Sequence, residues 1–113
     1  MDCLFCKIAA GEIPSQKVYE DNQILAFRDI SPAAPVHLLF IPKLHIENTN
    51  SLTAEHSALI GNIFATIPVV MRSEGVADTG YRVVANTNPD GGQTVYHLHF
   101  HVLGGRPLTW PPG

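Results

Sequence analysis

The sequence predicts an α+β domain of about five antiparallel strands with one long helix and one short one. Three observations predict it. Short apolar or alternating runs recur between turn signals, as strands do. One long stretch and one short stretch instead carry apolar residues at helical spacing. Finally, Tyr96-His97-Leu98-His99-Phe100-His101-Val102-Leu103 alternates histidine with apolar residues, the period of a strand with two unlike faces.

The elements follow in order. Cys3 to Ala10 has apolar residues at 4, 5, 8 and 9 and stops at Gly11, the pattern of a short amphipathic helix. Pro14-Ser15 opens a turn, and Val18-Tyr19-Glu20 is a short strand. Asp21-Asn22 turns the chain into a second strand, Ile24 to Ile30, and the spacing predicts a hairpin. Ser31 to Pro35 holds two prolines and is loop. Val36 to Ile41 is apolar except for His37, which reads as a buried central strand. A lone buried histidine there is more often a core residue than a catalyst.

Thr53 is a candidate N-cap, without a capping box because His56 rather than Glu or Gln stands three residues on. Leu59, Ile60, Ile63, Phe64 and Ile67 then share one helical stripe suited to packing on a sheet. Pro68 removes the hydrogen bond to the Phe64 carbonyl and predicts a kink or break before helix resumes towards Ser73. Tyr81 to Ala85 is a strand, Asn86 to Gln93 a turn-rich loop, and the histidine strand follows until Gly104-Gly105. The tail around Trp110 has no pattern of its own.

At 113 residues, 45% of them apolar and 15% charged, the chain is one globular domain over 1–113. Its net charge of −3 and lack of a basic run argue against nucleic acid as a partner. No secretory pattern and no consecutive apolar run of membrane-spanning length is present, so a soluble, cytoplasmic protein is expected. Cys3-x-x-Cys6 holds both cysteines, a spacing that suggests metal or redox chemistry rather than a disulfide scaffold.

On a strand, His97, His99 and His101 share one face while Leu98, Phe100 and Val102 point to a core. Three of the six histidines falling within five residues is an improbable accident. The triplet suits a metal site, and equally a covalent catalyst in which one neutral imidazole attacks while its neighbours orient it. The preceding Asp90-Gly91-Gly92-Gln93-Thr94 can expose backbone N–H groups to an anion.

The segment 96–103 closely resembles the signature of the histidine triad (HIT) family, His-φ-His-φ-His-φ-φ. Phe27-Arg28-Asp29-Ile30-Ser31-Pro32, Ile41-Pro42-Lys43 with His45-Ile46, and Asp90-Gly91-Gly92-Gln93 are similar to the same family. The ending Leu103-Gly104-Gly105-Arg106 with Trp110-Pro111-Pro112-Gly113 resembles its nucleotide-binding Hint branch rather than the dinucleotide-hydrolase branch.

The resemblance implies a HIT fold, a homodimer joined through its sheets, and hydrolysis of purine nucleoside 5′-phosphoramidates through a nucleotidyl-histidine. His99 would attack phosphorus, His101 would contact the phosphate, and His37 would orient the triad. Donors at Gln93 and Thr94 would hold phosphate oxygens, and Asn86 would add a polar contact. Thr94 stands where the branch commonly has Ser, and its hydroxyl would act near the leaving group. Asp29 would accept from the ribose hydroxyls. Leu4, Phe5, Ile8, Phe27, Ile30 and Leu39 would enclose the base, and Trp110 would approach the partner's site. Cys3, Cys6, His45 and His97 would hold one structural zinc, making His97 both metal-binding and orienting; catalysis would need no cofactor. A non-catalytic nucleotide-binding module, a metalloenzyme using the histidines as ligands, and a dinucleoside polyphosphate hydrolase are the alternatives.

Overall fold

Five strands, β1 (Lys17–Glu20), β2 (Ile24–Arg28), β3 (Val36–Pro42), β4 (Tyr81–Val84) and β5 (Phe100–Gly104), form one antiparallel sheet in the computed structural model, which describes residues 2–113. Their order across the sheet is β1-β2-β3-β5-β4. The predicted hairpin joins β1 to β2, where the Asp21 carboxylate accepts from the N–H groups of Gln23 and Ile24 at 2.8 Å each. β3 has a neighbour on each side, β2 along 38–42 and β5 along 36–40, and is buried along most of its length, as its apolar run requires.

Alternation along the strands divides the core between the two faces of the sheet. One face carries Ile24, Ala26, Leu38, Phe40, Phe100 and Val102 against α2 (Ser57–Ser73), which contributes Ile63, Ile67, Val70 and Met71. The other carries Leu25, Phe27, Leu39 and Ile41 against α1 (Leu4–Ala9), through Phe5 and Ile8. The expected α+β architecture with one long and one short helix is therefore observed. A single helical turn, α3 (Asn88–Gly91), and short turns at Thr49–Ser51 and Ala54–His56 add to it.

Four local expectations are corrected. The capping box exists: the Thr53 N–H donates to His56 Nδ1 at 3.0 Å while Thr53 Oγ1 accepts from the Glu55 N–H at 3.3 Å. An imidazole nitrogen accepts as a carboxylate does. Helix α2 does not break at Pro68; buried residues on both sides of it, Ile67 and Val70, hold the two halves on the same sheet. Strand β2 ends at Arg28 rather than Ile30. The histidine strand begins only at Phe100, with residues 95–97 in a bend. Continuing the pairing of Phe100 with Phe40 would set Leu98 opposite Pro42, which has no N–H for a ladder. Leu98 donates its N–H to the Ile46 carbonyl instead, at 2.6 Å.

The segment Ala54–Ser73 is long and apolar enough, by length and composition alone, to cross a membrane. In this fold its buried stripe is spent on the sheet, the ordinary condition of a core helix.

Candidate active site and metal cluster

The histidines lie on the face that α1 covers, because Leu98, Phe100 and Val102 take the α2 face. His99 is 6% exposed and His97 fully buried, so the triplet is enclosed rather than an open surface. Phe5 of α1 stands edge-on to the His99 ring at 5.1 Å and to the His97 ring at 6.1 Å.

Hydrogen-bond partners make the imidazoles unequal. His99 Nδ1 lies 2.7 Å from the His97 carbonyl oxygen. A carbonyl only accepts, so Nδ1 carries the proton, and in the neutral ring Nε2 keeps a bare lone pair. A second chain of donors starts at the Ala33 N–H, which donates to His37 Nδ1 at 3.0 Å. His37 must then carry its proton on Nε2, and it donates to His101 Nδ1 at 2.9 Å. His101 is left with Nε2–H as a donor beside the His99 ring, the two ring centres being 5.0 Å apart. The pairing of Leu39 with His101 and of His37 with Leu103 puts both rings on one face of β3 and β5. His37 is therefore a partnered member of the cluster and not an isolated core residue.

Burial, and next the fields of His99 and His37, push His101 down to about 4. Burial also lowers His37, opposed by the Asp29 carboxylate 3.5 Å from its Nε2. Both rings are neutral donors and acceptors at physiological pH, as the relay from Ala33 requires.

Ile8, Phe27, Asp29 and Ile30 line a cavity of about 500 Å³ together with Ser15 and Gln16. Phe5 and Leu39 are buried in the apolar cluster behind it. Ile30 is 98% exposed, a large apolar side chain free to cover a bound ring. Asp29 sits just past the end of β2, donating its N–H to the His37 carbonyl at 3.0 Å. Its Oδ1 accepts from the Ser31 N–H at 2.8 Å, so the residue both caps the turn and faces the cavity. Ser15 was not anticipated by any signal in the sequence. Its Oγ is the one buried side-chain polar atom without a hydrogen-bond partner among the described residues.

Leu4 and Thr94 do not join that cavity. They line a second one, about 540 Å³, with Cys3, His45, Glu47 and Tyr96. Asn86 lines a third with Gly91, Arg82 and Arg106. Trp110 lies beyond it, 80% exposed, its ring 5.9 Å from the Arg82 guanidinium carbon. Gln93 has a different job from the one the motif suggests. Its amide donates to the carbonyls of Glu47 and Val95, and its oxygen accepts from Asn48 and from the Asn88 N–H. Its own N–H donates to the Asn88 carbonyl. Gln93 builds the loop that carries Thr94, and its side-chain donors are already committed.

Cys3, Cys6, His45 and His97 converge, each offering one ligand atom within 4.8 Å of all the others. His97 Nε2 donates to the Pro42 carbonyl at 2.8 Å, which leaves Nδ1 bare and aimed at the cluster. That Nδ1 lies 3.2 Å from His45 Nδ1, 3.4 Å from Cys3 Sγ and 3.5 Å from Cys6 Sγ, and Cys6 Sγ is 3.3 Å from His45 Nδ1. Tetrahedral zinc would separate two nitrogen ligands by roughly 3.3 Å and a nitrogen from a sulfur by roughly 3.5 Å. Burial, and then the Cys3 thiol, push Cys6 up to about 11, so this thiol gives up its proton near neutral pH only to a cation bound beside it. The four donors fit a closed structural zinc site.

A family model, HIT domain, matches residues 10–108. The purine nucleoside phosphoramidase of Escherichia coli K12 is 49% identical over 95% of this chain and 90% of that protein. A protein of Zea mays named as a 14 kDa zinc-binding protein is 51% identical over 97% of this chain and 87% of its own length. The crystal structure of a HIT family hydrolase from Legionella pneumophila superposes with a TM-score of 0.97 at 55% identity, covering 99% of this chain and all of that one.

Proposed function

The chain belongs to the HIT-domain family, and from that premise we propose that it hydrolyses the P–N bond of purine nucleoside 5′-phosphoramidates. The observation that carries this reading is the short hydrogen bond from His99 Nδ1 to the His97 carbonyl. It leaves one neutral imidazole nitrogen with a free lone pair, the nucleophile that such chemistry needs. The name of the Escherichia coli relative supports the choice of substrate class.

In the first step His99 Nε2 forms a bond to the α-phosphorus and the P–N bond breaks, its electron pair leaving with the amine. The amine takes up a proton from solvent, a transfer we assign to the Thr94 hydroxyl on the likeness of the 90–94 loop to the family. Water then attacks phosphorus, loses a proton to solvent, and returns the bonding pair to His99 Nε2, releasing the nucleoside monophosphate. His101 Nε2–H donates to a non-bridging oxygen, whose charge grows in both steps; a donor so placed is typically worth about 10² to 10³ in rate. The cavity of Ile8, Phe27 and Ile30 takes the base and Asp29 accepts from the ribose hydroxyls.

Cys3, Cys6, His45 and His97 would hold one structural zinc. A zinc with four protein ligands has no open position and supplies a cross-link rather than chemistry, here between α1 and the segment before β5. We further infer a cytoplasmic homodimer in which Trp110 reaches the partner's site.

Release of AMP from adenosine 5′-phosphoramidate by the purified protein tests the proposal. Turnover that survives chelation supports it. Nucleotide binding with no turnover favours a binding module, and activity lost on chelation with the fold intact favours a metalloenzyme.

A further inference from the structure

We infer that His97 couples the two centres: a metal held by Cys3, Cys6, His45 and His97 fixes the main chain at residue 97, so that the His97 carbonyl keeps the proton of His99 on Nδ1. The coupling rests on the metal and hydrolase readings above and extends them. It makes His97 a positioning residue, one whose own atoms touch no substrate.

The carbonyl that sets the state of the nucleophile belongs to a residue outside the sheet. The ladder between β3 and β5 starts at Phe100, and residues 95–97 form a bend before it. What holds this bend is a short set of contacts. Gln93 donates to the Val95 carbonyl at 3.1 Å, and the Leu98 N–H donates to Ile46. Val95 also packs against the apolar cluster under α1, and Leu98 is buried in the core on the α2 side. The His97 ring is a further anchor, tied to Pro42 through Nε2 and to the cluster through Nδ1. One side of that ring is therefore secured by a backbone carbonyl, and the other by whatever binds the four ligand atoms.

Imidazole tautomers are chosen by the hydrogen bond that one nitrogen makes, so a displaced carbonyl frees the proton of His99 to move to Nε2. With the proton there, the lone pair needed for attack is on the wrong nitrogen. The same cluster acts a second time through α1. Cys3 caps that helix, its Sγ accepting from the Cys6 N–H at 3.3 Å, and Phe5 of the same helix packs edge-on against His99. Metal at the cluster thus secures the nucleophile's ring from above and its proton from below.

The test uses the full chain with 15N-labelled histidine, loaded with zinc and then stripped by chelator, without substrate. Long-range 1H–15N spectra identify which nitrogen of His99 carries the proton. The loaded protein is expected to show one species, protonated on Nδ1, and the stripped protein a mixture of both tautomers. The stripped protein is expected to keep turning over, its rate reduced in proportion to the share of His99 no longer protonated on Nδ1. If stripping unfolds the chain, a His45→Gln protein, which loses one ligand from a half-buried loop position, is read in the same way. A single Nδ1-protonated species in both states overturns the coupling, as does a protein that takes up no zinc. A metal-dependent tautomer in a protein that never cleaves phosphoramidates upholds the coupling and removes the hydrolase reading.

Discussion

Ser15 carries a buried hydroxyl with no partner, on the wall of the cavity that Asp29 also lines. An unpaired buried hydroxyl gives the fold nothing to lose. Ser15→Ala is therefore expected to leave stability within about 0.5 kcal/mol of wild type or to raise it, as urea unfolding will show. His101 makes a prediction of the opposite kind. Its pKa is lowered to about 4 in the folded protein against 6.5 for the free side chain, so the unfolded chain binds the extra proton first. Stability is full above about 6.5 and declines as pH falls towards about 4, by at most about 1.4 kcal/mol per pH unit. Between pH 6.5 and 4.5 wild type should lose on the order of 1–2 kcal/mol more than His101→Gln, whose amide can replace both hydrogen bonds. That three imidazoles share a face is legible in the period-two alternation of residues 97–101. Their inequality is not, because it depends on a carbonyl at residue 97 and on His37 across the sheet. Gln93 shows the limit from the other side: a motif names the residue, but only the fold reveals that its amide is spent on Glu47, Val95, Asn48 and Asn88.

Helix α2 shows which parts of an element local chemistry dictates. Of the stripe that spacing predicts, Ile63 and Ile67 are buried, Leu59 and Ile60 pack partly on the sheet, and Phe64 is 46% exposed; Val70 and Met71, beyond Pro68, complete the buried set. The N-terminal cap depends on a histidine acting as an acceptor. Replacing His56 with Ala leaves the Thr53 N–H without its partner and should cost about 0.5–1 kcal/mol; Gln, which can accept in the same place, should restore most of it. Pro68 misleads when read locally, since the sheet holds both halves of α2 whether or not one helical hydrogen bond is missing. The start of β5 is likewise set at a distance. Alternation continues back to His97, but the ladder ends at Phe40 and Phe100, short of Pro42, and the unpaired residues include His97, which carries the candidate metal-binding ring and the carbonyl that accepts from His99. In this chain the functional geometry begins where the regular ladder ends.

Across the whole molecule, one sheet separates two apolar clusters, and the histidine cluster and the Cys–His cluster both lie on the side that the short N-terminal helix closes. A helix of six residues is too short to be stable alone, so its seat depends on Phe5, Ile8 and the Cys3–Cys6 end. Zinc content should therefore be about one per chain in wild type and fall in Cys3→Ser, with chelation lowering stability by on the order of a few kcal/mol. Equal, near-zero zinc in both proteins would remove the metal from the account. The fold class and the grouping of the four ligands were readable in the sequence, the first from apolar period and the second through likeness to a family. The cavity wall at Ser15 and the separation of Leu4 and Thr94 from the cavity of Asp29 and Ile30 were not, since both depend on how α1 sits across the sheet. The proposed reaction itself is decided by intact-protein mass spectrometry after rapid quenching with adenosine 5′-phosphoramidate. One AMP should be found on the wild-type chain, localised to His99 by fragmentation, and none on His99→Ala. Undiminished turnover by His99→Ala, or an adduct on any other residue, would contradict the assignment of His99 as the nucleophile.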